Sequence, residues 1–119
     1  MVFKDNQHWK FYDENIERTN SQRDSERKAL FYTLGLTKET INNIEGLYNF
    51  NENCIKIEGL REGWQTGTTI RICRLAFNLY NGFCGQHDDQ AENYTPYNLF
   101  DYGLASYMLE AVKIRYPYG

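Results

Sequence analysis

A chain of 119 residues is the size of one domain that buries roughly two thirds of its unfolded-chain surface, so a single compact core is expected over residues 1–119. A formal net charge of -3 lacks the basic excess that marks a general nucleic-acid binder, and no window approaches the roughly 18 apolar residues of a membrane span. Three cysteines, Cys54, Cys73 and Cys84, make no Cys-x-x-Cys pair and leave an odd thiol, which fits a reducing compartment.

In chain order, the start Met1-Val2-Phe3-Lys4-Asp5 lacks the apolar core of a signal peptide, so a cytoplasmic protein without membrane or nucleic-acid partners is expected. Asp5 is a plausible N-cap for a first helix that carries Trp9, Tyr12 and Ile16 at spacings of three and four, a stripe expected to face the core. The polar run from Arg18 to Arg23 reads as a turn. Ser21 or Asp24 then caps a second helix with Leu30, Phe31 and Leu34 on its apolar face. Gly35 ends it, and Arg23, Glu26, Arg27 and Lys28 are expected mostly in water. Thr37 caps a third, shorter helix with Ile41 and Ile44 inward, stopping near Gly46. From Leu47 the periodicity fails, although Cys54-Ile55-Lys56-Ile57 alternates as a short extended segment would, and Leu60-Arg61-Glu62 suits a single turn.

The firmest element is a fourth helix. Thr66 or Thr68 is its N-cap, and Ile70, Cys73, Leu75, Ala76, Phe77, Leu79 and Tyr80 cover much of its circumference, which predicts a central position. Gly82 is its natural stop. After a polar loop, Thr95-Pro96 opens a last helical region reaching Arg115, with a kink marked by Asp101 and Gly103, expected to pack on the fourth helix. The sum is an all-α, compact single-domain bundle of about five helices with one short extended segment at 54–57.

The entrance to the fourth helix concentrates donors. Free backbone N–H groups, the Thr66, Thr68 and Thr69 hydroxyls, the Gln65 amide and the Arg71 and Arg74 guanidiniums suit a phosphate or pyrophosphate, with Trp64 placed to stack a base. Asn78 continues the polar stripe of Arg71 and Arg74. The alternative is that Thr68 only caps the helix, Trp64 packs as a lid and the arginines pair with carboxylates. The lysine and spacing of a phosphate loop are absent, so nucleotide hydrolysis is not indicated. Cys84, His87, Asp88 and Asp89 offer metal-ligand or acid–base chemistry, but the segment reads first as a solvated loop. No catalytic motif is present, so no catalytic residue, metal or cofactor is expected. The aromatic content of 16%, with ten tyrosines, serves interfaces and pockets as well as cores.

The motifs Trp64-Gln65-Thr66-Gly67-Thr68, Arg74-Leu75-Ala76-Phe77-Asn78-Leu79-Tyr80-Asn81-Gly82, Tyr94-Thr95-Pro96, Leu99-Phe100 and Arg115-Tyr116-Pro117 resemble an uncharacterised domain-of-unknown-function family. Its members are small proteins from Firmicutes and their phages and mobile elements. The resemblance spans nearly the whole chain and transfers no catalytic residue. It implies a counter-defence setting, similar in size to compact oligomers that soak up nucleotide immune signals, such as cyclic ADP-ribose variants, without turnover. The leading expectation is therefore a homo-oligomer, not an enzyme, that sequesters a nucleotide-derived signal through Trp64, Gln65, Thr66, Thr68, Thr69, Arg71, Arg74 and Asn78. The alternative is an inhibitor that blocks a host defence or regulatory protein through an aromatic face.

Overall fold

A computed structural model describes residues 1–86 and 88–117. Helix α1, Asn6–Thr19, starts where Asp5 accepts a hydrogen bond from the His8 N–H at 2.8 Å, and ends where Asn20 turns left-handed. Its buried stripe is His8, Phe11, Asn15 and Ile16, whereas Trp9, expected inward, is 49% exposed. Polar pairing explains the rotation of the face. The Lys4 N–H donates to His8 Nδ1 at 3.0 Å, so Nε2 carries the proton and donates to the Tyr32 carbonyl at 2.7 Å. Asn15 donates to the Phe11 carbonyl at 2.8 Å. Both polar residues are thereby satisfied in the core, and packing against Phe3 and Tyr32 completes the imidazole's surroundings.

Burial holds the His8 imidazole below its ordinary titration range, against the opposing pull of the Tyr32 carbonyl and Asp5. The folded state therefore binds fewer protons than the unfolded one below about pH 6.5, the ordinary histidine value. This contribution to stability is complete above that pH and is lost as pH falls toward the folded value. The melting temperature should drop between pH 7.5 and 5.5, and the drop should shrink in His8→Gln. An equal drop in that variant would show that His8 does not carry it. Asp5 and Asp24, held below the usual carboxylate value, act in a separate, more acidic window.

Helix α2, Ser25–Leu34, is capped by Asp24 rather than Ser21, and every residue from Ala29 to Leu34 is buried. It packs against α1 and against the two long helices described below, so α2 shares the centre with the fourth helix of the sequence pattern. Gly35 follows it with a φ of -82°, not as a left-handed stop. Its need is space: a Cβ there would lie 2.7 Å from His8 Cδ2 and 2.9 Å from Phe11 Cδ1. Arg27, expected in water, is instead half-buried and bonded to three elements.

Thr37 caps α3, Lys38–Asn42, and a second short helix, α4, follows at Ile44–Leu47. The extended segment is real over Cys54–Ile55, which forms β2 and pairs antiparallel with β1, Tyr48–Asn49, in the register Tyr48 to Ile55 and Asn49 to Cys54. Ile57, expected to extend it, opens a 3-10 turn that runs Ile57–Arg61.

Helix α5, Gly67–Asn81, is the expected fourth helix, with Thr66 as N-cap and Gly82 at φ 81° as its stop. Cys73 is fully buried in it, and desolvation pushes its thiol up to about 12; Cys54 and Cys84 are exposed. The last region divides into a 3-10 turn, Ala91–Tyr94, then α6, Pro96–Leu99, a further 3-10 turn, Tyr102–Leu104, and α7, Ala105–Arg115. The break falls at Asp101, whose carboxylate accepts from the Gly103 N–H at 3.0 Å and stabilises a local turn in place of the helix ladder. Helix α7 packs chiefly on α2 rather than on α5, although Arg115 Nε donates to the Leu79 carbonyl at 2.7 Å and ties the two C-terminal ends together. The all-α class therefore stands, with seven helices among the described residues. The third expected helix is two, and so is the last. None of the described helices is long and apolar enough to cross a membrane. Tyr116 is 55% exposed, while His87 and Tyr118 lie outside the described residues.

Candidate functional site

The hydroxyls at the entrance of α5 form a closed local circuit. Thr66 Oγ1 accepts from the Thr69 N–H at 3.2 Å, and Thr69 Oγ1 accepts from the Thr66 N–H at 2.7 Å, a reciprocal capping box. The Thr69 hydroxyl then donates to Gln65 Oε1 at 2.7 Å. Gln65 Nε2 donates onward to the Gly59 carbonyl at 3.0 Å and lies 3.5 Å from Cys73 Sγ. Thr68 donates to Asp101 Oδ2 at 3.0 Å, and Trp64 is half-buried against the core. Each of these polar side chains therefore has an internal partner, which secures the helix start against its neighbours.

Arg71 and Arg74 leave α5 in different directions. Arg71 Nη1 donates to the carbonyls of Asn98 at 2.9 Å and of Tyr97 and Phe100 at 3.3 Å, so its positive charge sits on the free C-terminal carbonyls of α6. Asn78, two turns beyond Arg71, donates to the Phe83 carbonyl at 3.0 Å and closes the loop after α5. Arg74 instead meets the Asp89 carboxylate at 3.0 Å, where the two side chains are 21% and 16% exposed. The other oxygen of Asp89 accepts from the Tyr94 hydroxyl, and Arg74 also lies over the Tyr94 ring at 5.9 Å. Burial, reinforced by that bond to Asp89, pushes the Tyr94 phenol up, so it stays a donor at neutral pH.

Arg74 and Asp89 line a cleft of about 180 Å³. Ile57 and Leu60 of the first 3-10 turn, Ile70 of α5 and Phe83 supply its apolar surface; Arg61 stands at the rim, 3.4 Å from Asp88. Arg74 Nε is buried, with no hydrogen-bond partner among the described residues. A guanidinium with an idle N–H beside an apolar wall is suited to an anionic group carried on a flat or apolar body.

The sequence profile of a family of unknown function (DUF6075) matches residues 1–119. The chain belongs to the DUF6075 family. No curated protein and no solved structure matches it.

Of the sequence-derived site residues in this DUF6075 chain, Arg74 lines the cleft, and the structure does not gather the other seven around it. The structure adds Arg61 and Asp89 to the cleft, neither of which the sequence pattern assigns to an anion site. In the sequence Arg61 is visible only as part of a turn, and Asp89 only as a metal-ligand or acid–base candidate on a loop that reads first as solvated. The signal linking them is the opposite charge of Arg61 and of Asp88-Asp89 on either side of the α5 sequence, which pattern alone does not pair. Among the described residues, no group of three or more His, Cys, Asp or Glu is placed to hold a metal ion.

A second feature lies beyond the α6 end of Arg71. Tyr97 and Tyr102 are 88% and 101% exposed, and with Phe100 and Asp101 they border a broad, shallow groove. Leu99 is buried beneath them, and the three carbonyl bonds from Arg71 fix the backbone that presents them.

Proposed function

We propose that this DUF6075 protein captures an anionic, nucleotide-derived ligand without turning it over, as a counter-defence sponge of the kind carried by phages and mobile elements. The single observation behind this reading is Arg74: a largely buried guanidinium whose Nε has no hydrogen-bond partner among the described residues, set in a cleft with a second guanidinium, Arg61, at its rim. Arg74 takes the anion, Ile70 and Phe83 take an apolar or ring surface, and Arg61 adds long-range attraction. At about 180 Å³, the cleft is smaller than the roughly 300–1,000 Å³ of sites that enclose a drug-sized molecule. It therefore holds one end of a nucleotide, and a second copy of the chain is proposed to cover the rest.

Incubation with cyclic ADP-ribose, ADP-ribose or a cyclic dinucleotide should deplete the free compound, and heat denaturation should release it unchanged. Recovery of an altered compound would identify an enzyme, and no depletion across a nucleotide panel would refute capture.

A protein-interaction reading has its own observation, the two fully presented tyrosines on the Arg71-fixed turn. Rigid tyrosines are favoured anchors for a polar protein surface because ring and hydroxyl engage it at small entropic cost. The proposed occupant is a host defence or regulatory protein. Replacing both Tyr97 and Tyr102 by alanine should abolish a stoichiometric partner while changing stability by less than about 0.5 kcal/mol. A partner that survives that double change would not use this face.

A further inference from the structure

The cleft already contains an anion, the protein's own. Asp89 places one carboxylate oxygen 3.0 Å from Arg74 Nη2 and presents the other to the Tyr94 hydroxyl, while Asp88 stands 3.4 Å from Arg61 at the rim. Two carboxylates on two guanidiniums reproduce, within the chain, the contacts that a ligand with two anionic groups would make. The backbone is shaped to put Asp89 there. Gly85 has a φ of +99°, and a Cβ on it would lie 1.9 Å from the Asp89 carbonyl oxygen, so only glycine allows the chain to close so tightly. The two pairs are unequal: Asp89 and Arg74 are mostly enclosed, whereas the Arg61 and Asp88 side chains are 60% and 90% exposed, and an exposed pair contributes little.

We infer that the Asp89 carboxylate occupies the seat of the ligand's anionic group on Arg74, so that capture proceeds by exchange of this internal carboxylate for the incoming anion. The inference rests on the capture reading above and adds its regulation: the internal anion sets the threshold concentration at which the cleft fills. A weak or singly charged anion does not displace a carboxylate held by both a guanidinium and a phenol. A diphosphate, with more charge and more acceptor oxygens, does. Apparent affinity is lowered by the fraction of molecules in which Asp89 is seated.

The experiment titrates inorganic pyrophosphate and ADP-ribose separately into wild type, Asp89→Asn and Tyr94→Phe by calorimetry. The amide in Asp89→Asn keeps the shape but removes the competing charge, so both probes should bind about tenfold more tightly or better. Tyr94→Phe loosens the seat while leaving the ion pair and should give a smaller gain, about threefold; if Asp89→Asn fails to fold, this variant decides. Binding by wild type that is unchanged or weakened in both variants would overturn the exchange and leave capture standing. No binding by any of the three would overturn both.

Discussion

Replacing Arg27 by methionine should lower stability by about 3 kcal/mol, among the largest losses from any single polar substitution in this chain. The Arg27 guanidinium donates to Asp24 at 2.7 Å, the Tyr48 hydroxyl at 2.8 Å, the Asn53 carbonyl at 2.6 Å and the Tyr80 hydroxyl at 2.9 Å. One side chain therefore joins α2, the first strand and the turn of the small hairpin, and α5. Tyr48 passes the connection on to the Asn53 side chain, and the fork lies over the Tyr80 ring at 5.2 Å. Burial works against the charge, but the bonds to Tyr48 and Asp24 outweigh it and hold Arg27 firmly protonated. Hydrogen bonds to a charged group contribute about 1.5–3 kcal/mol each. The full sum is not expected, because Asp24 is 29% exposed and the freed hydroxyls can turn to water. Against a total of about 5–15 kcal/mol the loss is large. Lysine at this position should recover less than half of it, since a single ammonium cannot span the four acceptors that the planar fork reaches. Denaturant unfolding followed by circular dichroism reads the change. A loss below about 0.5 kcal/mol would mean that the cluster is effectively solvated.

Arg74 carries the largest functional effect. Arg74→Gln should weaken capture of ADP-ribose by at least about 100-fold, the equivalent of roughly 2.7 kcal/mol and within the range for truncating one partner of an enclosed charge pair. The same change strands Asp89, mostly enclosed and still charged, so stability falls as well. Pairing it with Asp89→Asn separates the two effects, because facing amides restore a neutral hydrogen bond without restoring a cation. That double variant should melt near wild type and still fail to capture. Arg71→Ala, by contrast, removes the cation from the α6 carbonyls and should disturb the Tyr97 and Tyr102 turn while leaving the cleft's affinity within a few-fold of wild type.

The residues that were legible in the sequence are those whose partners are local. Asp5, Thr37, Thr66 and Gly82 each act on a backbone group within four residues, and each bounds a helix where the pattern placed it. His8 takes the inward place expected for Trp9 because it is satisfied by Tyr32, 24 residues on, and hydrophobicity carries no record of that bond. Arg27 was assigned to water for the same reason: its polar partners lie as far as 53 residues away. The donors at the α5 entrance show both sides of this limit. Their clustering is plain in the sequence, and so is the N-cap. What the sequence does not show is that α6 brings carbonyls to Arg71, that Asp101 reaches Thr68, or that a glycine-closed turn delivers Asp89 to Arg74. Aromatic content alone likewise did not separate Tyr48 and Tyr94, which the core encloses, from Tyr97 and Tyr102, which it leaves bare.

Capture through Arg74 is tested most directly by equilibrium dialysis of cyclic ADP-ribose and ADP-ribose against wild type and the Arg74→Gln, Asp89→Asn double variant, with the compound recovered after heat and measured by mass spectrometry. Wild type should concentrate at least one of the two and release it intact, and the folded double variant should concentrate neither. Equal retention by both proteins, or none by wild type, would contradict a nucleotide-capturing cleft centred on Arg74.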